Sequence, residues 1–136
     1  PTAPSYGTPG PVGSTRYFAG GGGGANDANQ SWALVAGCGC GGAGGGGASG
    51  QPNYSSQSGP IKNRTAVAGT ANTGGGAGGA GGDFGGNNGG SGVVLVRYPG
   101  GISVSVTPCT NSIACVPGPS TDKIATFTVS GNFVIS

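Results

Sequence analysis

Thirty-five of the 136 residues are glycine, gathered into blocks such as Gly20–Gly24, Gly44–Gly47 and the alanine-interrupted Gly74–Gly82. Ordering one residue costs roughly 1–2 kcal/mol, and glycine has the most backbone freedom to lose. Such a chain stays disordered unless the backbone itself becomes the packing surface. Polyproline II-type helices offer that solution, with three residues per turn. Built of glycine they lack Cβ atoms, approach closely, and bond N–H and Cα–H groups to neighbouring carbonyls. The blocks are interrupted by short β-branched stretches that read as strands. Together these features predict a built object rather than a flexible linker.

Composition narrows the choice. Only 34% of residues are hydrophobic, alanine included, so a large apolar core is not expected. Charged residues are 6%, against roughly 25% in ordinary globular domains, which sets the chain apart from charge-rich disordered segments. The net charge of +2 comes from Arg16, Lys62, Arg64, Arg97 and Lys123 against Asp27, Asp83 and Asp122. These are scattered and form no basic stripe, so nucleic acid is not an expected partner. No stretch approaches the roughly 18 apolar residues that would cross a bilayer, so membrane insertion is not expected. A secretion signal, if used, is expected outside this chain.

Along the chain, residues 1–14 are rich in proline and glycine and read as an extended arm or linker. Residues 15–100 form the glycine-rich part, with strand-like Thr15–Ala19 and Ser31–Ala36 running directly into glycine, and a polar loop at 50–64. In Ala77-Gly-Gly-Ala80-Gly-Gly-Asp83 the other residues recur every third position, the polyproline II period. Val93–Tyr98 reads as a strand ending at the Pro99-Gly100-Gly101 turn. Glycine density then collapses. Residues 101–136 form a strand-rich segment, with alternation in Ile102–Thr107 and Ile124–Val129 and a further strand at Asn132–Ser136. No window supports a helix. The predicted fold class is therefore irregular or all-β: stacked polyglycine II helices with short strands, then a small antiparallel β segment, with essentially no α-helix.

Candidate chemistry is sparse. Gly37-Cys-Gly-Cys-Gly-Gly42 matches G-x-G-x-x-G, but a dinucleotide site needs a helix after the glycines, and more glycine follows here. No cofactor is expected. Cys38 and Cys40 with Cys109 and Cys115 are poorly spaced for zinc, and the chain has no histidine, so no metal site is expected. Cys109 and Cys115 are favoured as a disulfide closing Thr110–Ala114; the rival is cross-linking of Cys38 and Cys40 to that pair. The isolated aspartates read as turn residues, and no serine has a histidine to activate it. No catalytic residue is assigned, and the chain is expected to be non-enzymatic. Asn29, Asn53 and Asn63 begin Asn-x-Ser/Thr strings in loops. Tyr98, Phe127 and Phe133 are expected in the core. Trp32, Tyr54 and Phe84, beside glycine or in polar loops, either cap the small core under the glycine-rich layers or, with Asn87 and Asn88, are the candidate receptor contacts.

Arg16-Tyr-Phe-Ala followed by glycines, Ala68-Gly-Thr-Ala-Asn-Thr and Gly89-Gly-Ser-Gly-Val-Val-Leu-Val-Arg-Tyr-Pro99 resemble the glycine-rich domains of bacteriophage tail-fibre and adhesin proteins. Lys123-Ile-Ala-Thr-Phe-Thr-Val is similar to their strand-rich linking segment, and Val93–Tyr98 to the strand that closes them. The cysteines depart from that pattern. The resemblance implies a sandwich of stacked polyglycine II helices whose loops, here around Gln51–Ser58 and Phe84–Asn88, meet a host-surface glycan or protein receptor. It implies a virion or extracellular location, with copies of the chain or other fibre proteins as partners. Alternative expectations are a self-assembling extracellular filament, completed through the arm or the C-terminal strands, and an antifreeze-type polyglycine II protein.

Overall fold

The computed structural model describes residues 6–25, 39–50, 65–80 and 85–136. It divides into compact units, one running Gly7–Ser91 and the other built on Gly92–Ser136. Among the described residues there is no helix, and all strands lie in small antiparallel sheets.

The glycine-rich unit opens with a short hairpin, β1 (Thr8–Pro9) against β2 (Arg16–Tyr17). These first residues, expected as an extended arm, are folded onto the unit from Gly7 onward. The Thr8 hydroxyl accepts from Gly44 N–H (2.7 Å), and the Arg16 guanidinium donates to Gly7 C=O (3.2 Å). Proline is tolerated in β1 because a strand this short lies at an edge.

Beyond the hairpin, the glycine segments bond to one another with a repeat of three. Gly20 N–H donates to Gly44 C=O (3.0 Å) and Gly23 to Gly47 (2.9 Å). Gly47 donates to Gly76 (2.9 Å) and Gly50 to Gly79 (2.9 Å). Gly76 donates to Gly20 (2.8 Å) and Gly79 to Gly23 (2.9 Å), which closes the cycle. Donors and acceptors advance together by three, so the segments run parallel; a β-ladder would repeat every two residues. Antiparallel segments flank them with the same step: Gly46 to Gly42 (3.1 Å) and Ser49 to Gly39 (2.9 Å), then Val67 to Ala48 (2.9 Å) and Thr70 to Gly45 (2.8 Å). Burial follows the repeat, with Gly20 and Gly23 buried and the glycines between them exposed. Glycine is required by this closeness. A Cβ at Gly22 would collide with the carbonyl of Ala77, and one at Gly78 with that of Ala48.

In the second unit β3 (Val94–Tyr98), β6 (Lys123–Phe127) and β5 (Ser112–Cys115) form a sheet in the order β3-β6-β5. The register sets Val96 opposite Ala125, and Ala125 opposite Ile113. β4 (Val104–Thr107) pairs with β7 (Asn132–Ile135) as a separate ribbon. The Tyr98 and Phe133 rings join sheet and ribbon edge to face, with centroids 5.5 Å apart and planes at 78°. Tyr98, Val116, Ile124 and Ala125 are the buried apolar residues here. Asn111 is buried too, and its side chain bonds Thr107 C=O (3.2 Å) and the N–H groups of Thr128 (3.2 Å) and Val129 (3.4 Å).

Two expectations from the sequence differ here. Val94–Tyr98, expected to close the glycine-rich part, pairs instead with Lys123–Phe127, because an apolar strand needs side chains to pack on and glycine segments have none. The break between units accordingly falls at Gly92. The expected Cys109–Cys115 disulfide is not formed, and both thiols are free. Of the loop expected over Thr110–Ala114, the residues from Ser112 onward extend with Cys115 as β5 along β6 for about 10 Å, carrying Cys115 away from the turn that holds Cys109.

Candidate functional site

The residues singled out for receptor contact fall in different places. Trp32, Tyr54 and Phe84 lie outside the described residues, as do the Gln51–Ser58 loop and Cys38. Asn87 and Asn88 are described, and the structure gives them distinct tasks. The Asn87 side-chain amide donates to Ala66 C=O, so it is spent on holding its own segment in place. Asn88 accepts from Gly69 N–H through its main-chain carbonyl (3.0 Å) and is exposed.

Beside them the turn at Ala71–Gly74 is fixed by polar side chains. Asn72 sits in the left-handed region (φ 58°), a conformation that asparagine tolerates better than most residues. Its N–H donates to the Ser91 hydroxyl (3.0 Å), which in turn donates to its side-chain oxygen (3.2 Å). The buried Thr73 hydroxyl donates to Thr70 C=O (2.6 Å) and accepts from Gly75 N–H (3.1 Å). Ser91 C=O takes the N–H groups of both Thr73 and Gly74 (2.9 Å each). The result is a hydrogen-bonded surface of amides and hydroxyls carrying Asn72 and Ser91, with Asn88 held through its main chain. Reading the sequence missed Asn72 and Ser91; the available signal was Asn72-Thr-Gly74, a turn tripeptide between glycine blocks.

Chemically this surface offers hydrogen-bond donors and acceptors. Among the described residues no three metal-binding side chains cluster. The ion pair of the strand-rich unit joins Arg97 and Asp122 at 2.7 Å, with the Ser120 hydroxyl accepting from Asp122 N–H (3.1 Å). Arg97 is exposed and Asp122 half-buried, so water still screens the pair, which is worth about 1 kcal/mol at most. Among the described residues of the glycine-rich unit, Phe18, Val12 and Val67 are the large exposed apolar side chains. Cys40, Cys109 and Cys115 are exposed free thiols. No family model matches this chain, and neither does any curated protein or solved structure.

Proposed function

We propose that this chain is a non-enzymatic structural part of an extracellular fibre, a bacteriophage tail fibre or adhesin component that contributes to host-surface attachment. In this reading the glycine segments are polyglycine II helices, stacked into a stiff body. The observation that carries it is the three-residue step of the bonds among Gly20, Gly23, Gly47, Gly50, Gly76 and Gly79. That step is the period of polyproline II-type helices, and the buried glycines let backbones meet directly. A scaffold of this kind withstands handling outside a cell without a large apolar core. Recognition of a glycan or protein receptor then falls to loops and turns, of which Asn72 and Ser91 present polar groups fixed by their mutual bonds and Asn88 an exposed amide.

A second reading, a free filament of repeated copies, is favoured by one specific observation: the uncharged β5 and β7 strands are largely exposed. Antibody labelling of native particles in the electron microscope separates the two. Label along phage tails is the expected result. Label on free filaments favours the second reading, and label on neither sinks both.

A further inference from the structure

In antiparallel pairing, successive residues of an edge strand turn their N–H and C=O alternately into the sheet and out to the open edge. The bond from Val116 N–H to Asp122 C=O (2.9 Å) sets this phase for β5. Ser112 and Ala114 therefore face inward to Thr126 and Ile124, while Ile113 and Cys115 turn their backbone groups outward. The outward stretch has defined ends. Asn111 N–H is taken by Pro108 C=O (2.9 Å), and Pro117 has no N–H. Among the described residues nothing hydrogen-bonds the outward groups of Ile113 and Cys115, and Ser112–Cys115 is exposed throughout.

Natural edges are blunted by charge, proline or a covering element. The opposite edge of this sheet, β3, follows the rule, with Arg97 in the strand and Pro99 directly after it. β5 does not. It reads Ser-Ile-Ala-Cys, free of charge and of proline.

We propose that the β5 edge is a self-association surface, to which β5 of a second copy adds antiparallel about a two-fold axis at Ala114. In this register Ile113 of each copy opposes Cys115 of the other, so every free outward N–H and C=O finds a partner. Any slip along the strand leaves some of them unpaired. Ala114 meets its own counterpart in the close, non-hydrogen-bonded position, where a small side chain fits. Charge favours an identical strand over a charged segment: uncharged β5 repels no copy of itself and offers a charged partner no counter-charge. The three-stranded sheets of both copies become one continuous sheet. The two-fold contact closes at the dimer, so it gives either fibre reading one joint between copies and not the polymer itself; it does not depend on where a fibre sits, so particle imaging and the following test fail separately.

The test uses the full chain with Cys38, Cys40, Cys109 and Cys115 replaced by serine, plus Ala114→Cys. Opposed residues of this type have Cα atoms about 4.5 Å apart, within the roughly 4.4–6.8 Å that a disulfide spans. Mild oxidation at high protein concentration is expected to trap a covalent dimer, in clear excess over Ser130→Cys in the same background. Adding Ile113→Pro removes an outward N–H without touching the bonds to β6. It is expected to cut the dimer about tenfold, the size of losing a symmetric pair of backbone hydrogen bonds. Ile113→Lys, which leaves the ladder whole, is expected to act in the same direction through charge repulsion and covers the case in which proline unfolds the strand. A yield from Ala114→Cys no greater than from Ser130→Cys overturns the proposal. So does a dimer indifferent to Ile113→Lys, or a ladder of higher oligomers in place of the dimer.

Discussion

Gly21 and Gly22 are chain neighbours of identical chemistry, and the fold treats them in opposite ways. A side chain at Gly22 would strike the carbonyl of Ala77, whereas one at Gly21 meets nothing among the described residues. Neither has a positive φ, so conformational strain does not separate them. Gly22→Ala is expected to destabilise by about 1–3 kcal/mol, the usual cost of forcing atoms into a packed site. Gly21→Ala is expected to be neutral or to stabilise by up to about 1 kcal/mol, because it narrows the unfolded ensemble. Urea unfolding of the two variants side by side checks the contrast, and equal losses would count against the close backbone packing. The sequence alone gives no way to rank these positions, since a run of glycines carries no side chain to mark which faces inward. Asn87 makes the same point from the other side. It was legible as a polar loop residue, but only its bond to Ala66 C=O shows that its amide is spent on structure.

The elements divide by how local their cause is. β3, β4, β6 and β7 were legible because apolar runs or alternation mark their strands directly, and the structure places them within a few residues of the expected bounds. β1 and β5 were not. Thr8-Pro9 lies among prolines and glycines, and Ser112–Cys115 has no alternation; each becomes a strand by pairing with a partner, β2 or β6. The glycine segments lie between these cases. Their triplet was visible at Ala77 and Ala80, but the neighbours they bond were not. If the three-residue step persists in solution, amide hydrogen exchange has a periodic pattern. Gly20, Gly23, Gly47, Gly76 and Gly79 are expected to be protected, while Gly22 and Gly24, whose N–H groups have no partner among the described residues, exchange quickly. Uniform protection along Gly20–Gly24, or none, would contradict the packing described.

The buried apolar set among the described residues is small: Ala66, Tyr98, Val116, Ile124 and Ala125. Much of what is removed from water in the glycine-rich unit is backbone, and polar burial opposes apolar burial in the heat capacity of unfolding. An ordinary globular chain of 136 residues unfolds with a heat-capacity change of about 1.6–2.0 kcal/mol/K. This protein is expected to fall well below that range in differential scanning calorimetry, and a value within it would point to an apolar core larger than the buried set of the described residues. The sequence by itself determined that helix was excluded and that glycine had to pack through its backbone, because composition leaves no side chains for another kind of interior. It also located most strands, since alternation is a local property. Which glycines meet which carbonyls, the break at Gly92, the free state of Cys109 and Cys115, and the bare edge of β5 came from the folded chain. The physical reason is that each depends on hydrogen bonds between segments far apart in sequence, and repeated glycine does not encode which segment will be the neighbour.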